Sequence, residues 1–192
     1  MAIRSEQSRQ AILQATIKLL DEREPGSMSV QQLSIERIAR DAGVSKATIY
    51  RWWSSKAALI IDTFLENHIS ATTIRDDLPA IDALREHAIS LAEVYSSHEG
   101  ALMKQLIAES QYDDATLAEF KKRFFFPRRE MINKVIARAM KEGSIRADLD
   151  INQVAEHIYS PIYFRLLFQE GSLEKTATKL SFEITLQGLL PE

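Results

Sequence analysis

Gly43 constrains the fold of this chain more than any other single residue. It separates two short runs of helical character, residues 35–42 and 45–53, with only Val44 between it and the second run. Ile35, Ile38, Ala39 and Ala42 recur at helical spacing and give the first run one apolar face. Glycine ends that helix because it takes a left-handed backbone without steric cost. Val44 plugs the corner. Ser45 suits the N-cap of the next helix, since its hydroxyl can accept an orphan N–H near Thr48. The spacing predicts two short helices joined by a tight turn and followed by the start of a third, a helix-turn-helix.

The side chains of the second helix are Lys46, Thr48, Tyr50, Arg51 and Trp52, nearly all able to touch a phosphate or a base. In a helix-turn-helix this second helix is the one that enters the major groove. Charge agrees. The chain carries a formal net charge of −3, yet residues 1–60 hold nine Lys/Arg against six Asp/Glu. Between Arg37 and Lys56 five basic residues stand against one acid, Asp41. A basic patch on an acidic chain points to a focused polyanion site or, more blandly, to a solvated face. Trp52 and Trp53 are adjacent and cannot face the same way on a helix. Trp53 lies four residues after Ile49, so it is expected in the small core with Ile38, Val44 and Ile49, leaving Trp52 on the exposed side. Ser54 or Ser55 is expected to cap the next helix, with Lys56 in its first turn. Ser34 is the expected N-cap of the helix before Gly43.

The run Gly43-Val44-Ser45-Lys46-Ala47-Thr48-Ile49-Tyr50-Arg51-Trp52-Trp53-Ser54-Ser55-Lys56-Ala57-Ala58-Leu59 resembles the DNA-binding domain of the tetracycline-repressor (TetR) family. The resemblance covers about residues 5–65. It implies that Thr48 and Tyr50 contact the DNA backbone, that Lys56 contacts a phosphate, and that Lys46, Ala47 and Arg51 lie near base edges. Trp52 and Trp53 stand where the family has His-Phe, so Trp52 falls at a DNA-contact position without the usual histidine. Ser34 and Ser45 complete the expected DNA-binding set. The connection before Ser34 is a few residues longer than the family pattern.

The rest of the chain reads as helices. A first helix is expected over residues 5–23, stopped by Glu24-Pro25-Gly26-Ser27. Residues 28–33 are ambiguous. After Lys56 a helix is expected to fade near Arg75, and another to cover residues 80–96. His98-Glu99-Gly100 reads as a turn, followed by a short helix ending near Tyr112. Residues 117–142 carry apolar side chains at helical spacing with Pro127 inside them, which predicts a kink or a restart there. Gly143 should stop that helix, and Asp150 with Gln153 resembles a capping box for the next. The apolar arcs of the last two helices are wider than one buried face needs. The expected solution is a two-fold bundle with a second copy of the chain, through Ile158, Ile162, Leu166, Leu173, Ala177, Leu180 and Ile184.

Composition excludes several classes. The chain has 192 residues, is 45% hydrophobic, and contains no cysteine. Disulfides, thiol nucleophiles and cysteine-ligated zinc are therefore ruled out. No apolar run approaches the ~20 residues of a membrane span, and no signal-peptide core opens the chain, which fits a cytoplasmic protein. His68, His87, His98 and His157 are scattered without metal-binding spacing, and neither a Gly-rich phosphate loop nor a nucleophile motif is present. An enzyme is not expected, and no cofactor or metal is called for.

The expected fold is all-α. Residues 1–55 would form an N-terminal three-helix DNA-binding domain with a helix-turn-helix, and residues 56–192 a C-terminal helical ligand-binding and dimerisation domain. The expected protein is a transcriptional regulator, a repressor, that binds a palindromic double-stranded DNA operator as a homodimer and is released by a small-molecule effector. The alternative is a helical ligand-binding or protein-interaction module without DNA binding. By resemblance, the effector pocket lies among residues 60–168. Phe64, His68, Tyr95, Met103, Phe120, Phe124 and Tyr163 are lining candidates for their mixed apolar and hydrogen-bonding character; each also reads as plain core.

Overall fold

The computed structural model describes residues 2–190, with side chains at positions 6–66 and 72–190. Every regular element among them is helical: α1 Ala2–Leu20, α2 Ile35–Asp41, α3 Lys46–Tyr50, α4 Lys56–Ala71, α5 Ala80–Tyr95, α6 His98–Tyr112, α7 Asp114–Phe120, a π turn Lys121–Phe125, α8 Phe126–Lys141, α9 Ile151–Phe168 and α10 Lys175–Gln187. None of these helices is long and apolar enough to cross a membrane.

The chain divides into two compact units. The first comprises residues 1–67 and 101–124. Its core holds Ile12, Leu13, Leu33, Ile38, Ile49, Trp53, Leu59, Phe64 and Met103, all nearly inaccessible to solvent. α1 ends at Leu20 rather than near Arg23. The Asp21 carboxylate accepts both the backbone N–H and the guanidinium of Arg23, which closes a local turn in place of another helical one. Residues 28–33, ambiguous in the sequence, are turn and coil, anchored by buried Val30 and Leu33.

The second unit comprises residues 68–100 and 125–192. There α5 packs against α8, α9 and α10, and α9 packs against α8 and α10. The His98-Glu99-Gly100 stretch is not a turn, because α6 already begins at His98. Gly100 is needed there for a close approach instead: a Cβ on it would lie 1.9 Å from the Tyr95 carbonyl oxygen. α4 stops at Ala71, short of Arg75.

At Pro127 the helix does not restart: the backbone stays helical from α7 through the π turn into α8, with Phe125 at φ −64 and ψ −53, and the extra residue of the π turn lies immediately before the proline. Gly143 follows α8 at φ +74. Asp150 caps α9 by accepting the Gln153 backbone N–H at 3.0 Å, but the Gln153 side chain turns to Glu156, so only half of a capping box is made.

Candidate nucleic-acid interface

The site starts from two serine caps and one glycine. Ser34 Oγ accepts the Arg37 N–H at 3.2 Å and opens α2; Ser45 Oγ accepts the Thr48 N–H at 3.2 Å and opens α3. Between them Gly43 sits at φ +66, and Val44 N–H returns to the Ala39 carbonyl at 2.9 Å. The turn is therefore closed by a backbone bond on the α2 side and by the Ser45 side-chain cap on the α3 side. Ser55, not Ser54, caps α4, accepting the Ala58 N–H at 3.1 Å.

α3 presents two unlike sides. Ile49 is buried, as is Trp53 three residues past the helix end, and α3 packs against α1 and α2. Lys46, Ala47, Tyr50 and Arg51 are exposed, with Tyr50 retaining 55% of its surface. Thr48 is half-buried, its hydroxyl 2.9 Å from that of Ser45. Trp52 is half-buried, and its indole nitrogen is sealed from solvent with no hydrogen-bond partner among the described residues. A bulky indole at this position thus packs rather than reaching outward as the sequence position suggested.

The basic patch is less free than a count of charges implies. Arg37 and Arg40 both lie against Asp41, at 3.0 and 3.7 Å. Arg37 and Asp41 line a groove with Ala15, Lys18 and Leu19 of α1. Lys46 donates to Glu36 at 2.7 Å, an acid one position outside the stretch that looked almost purely basic. That bond holds the Glu36 carboxyl below its usual range and raises the Lys46 ammonium. Lys56 donates to the carbonyls of Val30 at 2.9 Å, Leu33 at 3.0 Å and Gln31 at 3.5 Å. Its ammonium braces the 30–33 turn from the start of α4. Gln105 of α6 braces the same turn from another side, accepting the Val30 N–H at 2.7 Å. Arg51 is exposed, and its guanidinium has no ion-pair or hydrogen-bond partner among the described residues. This face can take up a polyanion, with Arg51 ready and Lys46 held on a weak exposed pair.

The effector candidates fall into two groups. In the first unit Phe64, Met103, Phe120 and Phe124 are buried; Phe64 meets Phe124 edge-on at 5.7 Å between ring centroids, and Phe120 lies 5.2 Å from Phe124. In the second unit the Tyr95 and Tyr163 hydroxyls approach to 3.3 Å. Burial raises both phenols, and it lowers the nearby Arg128 guanidinium, which donates to the carbonyl and hydroxyl of Thr72. The His68 side chain lies outside the described residues. Sequence reasoning missed the His87–Tyr159 bond (2.8 Å), the role of Arg128, and a polar chain from Trp53 to Asp62 and Arg123. All three pair residues distant along the chain, and no periodicity marks such partners.

The expected self-association residues divide by exposure. Ile158, Ile162 and Leu166 are buried within the chain's own core. Leu173 and Ala177 are half-buried, while Leu180 and Ile184 are 61% and 62% exposed. Phe164, Leu167 and Phe168 are exposed apolar side chains on α9.

Comparison with known proteins agrees with this geometry. Residues 12–63 match the family profile described as bacterial regulatory proteins, tetR family, and residues 75–180 match the tetracyclin repressor-like C-terminal domain. An uncharacterized HTH-type transcriptional regulator of Bacillus subtilis (strain 168), YdeS, is 37% identical over 164 residues, which is 85% of this chain and 80% of that one. The crystal structure of the TetR family transcription regulator SCO0332 superposes with a TM-score of 0.79 at 26% identity, covering 96% of this chain and all of that one. A transcriptional regulator FadR from Bacillus subtilis, solved in complex with stearoyl-CoA, shares the fold with a TM-score of 0.71 at 16% identity over 94% of this chain and 98% of its own.

Proposed function

We propose, from the premise that this chain belongs to the TetR family of transcriptional regulators, that it is a cytoplasmic repressor which binds a palindromic operator as a homodimer and is released by a small-molecule effector. Residues 1–55 read DNA, and residues 56–192 carry effector binding and self-association. The observation that supports this most is the division of α3 and the turn after it into a buried side, Ile49 and Trp53, and an exposed side, Lys46, Ala47, Tyr50 and Arg51.

Each exposed residue then has a task. Arg51 offers a planar pair of donors suited to a guanine edge. Tyr50 and Thr48 meet the sugar-phosphate backbone and set the register, with the caps at Ser34 and Ser45 holding the geometry. Lys46 exchanges its exposed Glu36 partner for DNA. Two copies are needed because a palindrome presents the same half-site twice, about one helical turn apart. The effector acts by preferring a dimer shape whose two α3 helices no longer match that spacing; equal affinity for both shapes would shift nothing.

Fluorescence anisotropy tests the reading, with a duplex selected by the wild-type protein from a randomised pool. A sequence-specific complex whose affinity falls steeply with salt is expected. If no such duplex can be selected, the regulator reading fails and the helical ligand-binding module takes its place. Mass spectrometry of co-purified small molecules, followed by addition of any that is found to the DNA complex, tests the release step.

A further inference from the structure

Trp53, three residues past the end of α3, is tied by side chains to a segment seventy residues further along the chain. Trp53 is 2% exposed, and its backbone N–H donates to the Ile49 carbonyl at 3.0 Å, so it moves with the end of α3. Its indole N–H donates to Asp62 Oδ2 on α4 at 2.9 Å. Arg123 spans the same carboxylate, donating to Oδ1 at 3.0 Å and Oδ2 at 3.1 Å. Arg123 is held from its other side by Glu119 of α7 at 2.5 Å. All four residues belong to the first unit.

Arg123 lies inside the π turn Lys121–Phe125. A π turn contains one residue more than an α turn, and such turns are short, rare and frequent at functional sites. Removing the extra residue's worth of winding rotates a following side chain by roughly 100°. An α-helical form of this segment would therefore carry Arg123 away from Asp62, and Phe124 away from Phe64. A change between the two windings would therefore make or break the Arg123–Asp62 pair.

We propose that Arg123 is a positioning residue for DNA reading: acting through Asp62, it holds the Trp53 indole, and with it the C-terminal end of α3 where Arg51 sits, in the register that the π turn dictates. This deepens, and rests on, the reading of α3 as the DNA-contacting helix. It assigns the effector's influence on the head a definite point of entry, the same turn that carries the lining candidate Phe124. Asp62 is the joint, because one carboxylate serves both donors; neutralising it releases Arg123 and weakens the acceptor seen by the indole.

The test uses the full chain, isotopically labelled for NMR, with R123Q, R123K, D62N, W53F and the R123Q/W53F double variant. In R123Q the Trp53 indole N–H resonance, assigned by its loss in W53F, shifts. Affinity for the selected duplex falls by about tenfold, with the slope of log K against log salt unchanged, because Arg123 touches no phosphate. R123K recovers most of the affinity, and D62N resembles R123Q. In the W53F background R123Q adds less than about twofold, as expected when the last step of a chain is already cut. Thermal melts confirm that each variant is folded under the assay conditions. An unmoved indole resonance in R123Q overturns the proposal. So do effects of R123Q and W53F on DNA affinity that multiply, or a lowered melting temperature with DNA affinity intact. If R123Q alone is silent while wild type binds its duplex, the regulator reading stands and the relay falls; if wild type binds no duplex, both fall.

Discussion

Glu36 and Lys46 form an exposed pair at the centre of the proposed DNA surface, and the pair sets two competing demands on one ammonium. The Lys46 bond depresses the Glu36 carboxyl. A depressed carboxylate contributes stability above its unfolded value, ~4.3 for glutamate, and that contribution is lost as pH falls through the folded value. At neutral pH the pair is intact, so an arriving phosphate must displace Glu36. Glu36→Gln therefore tightens DNA binding, by about three- to tenfold at low salt, and steepens the salt dependence by up to about 0.9 in log-log slope, one phosphate's worth. Anisotropy titrations across a potassium chloride series measure both; unchanged affinity and slope would remove Lys46 from the interface. Lys56 makes the opposite case. Its ammonium already meets three carbonyls, so Lys56→Met costs about 0.5–1.5 kcal/mol of stability by removing hydrogen bonds to part-buried acceptors. It leaves the salt slope unchanged. A slope reduced by about 0.9 would return Lys56 to the phosphate contact that its sequence position implies. The sequence named both lysines but not their partners, because Glu36 lies ten residues from Lys46 and the Val30 carbonyl twenty-six from Lys56.

Among the elements, caps and stops were legible and long-range pairings were not. Ser34, Ser45, Gly43 and Gly143 act within four residues of themselves, and the structure has each where local chemistry put it. Gly100 misled for a physical reason. A glycine can serve a turn or a close approach, and only the neighbour, here the Tyr95 carbonyl, tells which. Gly100→Ala should lower stability by about 1–3 kcal/mol through that overlap, read as a shift in the urea midpoint; an unchanged midpoint would mean that the start of α6 adjusts freely. The seam of α5 and α9 makes a pH-dependent prediction. His87 Nδ1 meets the Tyr159 hydroxyl at 2.8 Å, and Tyr95 meets Tyr163. Burial raises the phenols of Tyr95, Tyr159 and Tyr163. A raised folded value means that the stability is fully present below the ordinary tyrosine value of ~10 and is lost as pH rises through and beyond it. The melting temperature should fall between pH ~9 and ~11, and Tyr159→Phe should flatten part of that fall while lowering the neutral-pH value by about 1–2 kcal/mol. An alkaline profile identical in wild type and Tyr159→Phe would contradict the assignment.

For the whole molecule, the proposed operator symmetry demands a partner, and the apolar surface on α9 and α10 is the place to test it. α9 and α10 pack against each other, yet Phe164, Leu167 and Phe168 on one and Leu180 and Ile184 on the other stay exposed. A wide apolar arc in the sequence pointed to these two helices but could not separate their two sides: Ile158, Ile162 and Leu166 fill the chain's own core, which only packing against α5 and α8 reveals. Substitution on the exposed side therefore discriminates where substitution of Ile158 would merely unfold the unit. Leu180→Asp with Ile184→Asp removes two exposed apolar groups and would place carboxylates in any two-fold seam. Their burial would cost at least about 3 kcal/mol, roughly a hundredfold in the dimer dissociation constant. Sedimentation velocity should then report a monomer with an unchanged helical circular-dichroism spectrum. Affinity for the full palindrome should drop to that of a single half-site, while half-site affinity, set by α3 alone, stays the same. A double variant that sediments as wild type would mean that the chain associates through another surface, and loss of half-site affinity would mean that the last two helices also shape the DNA-reading head.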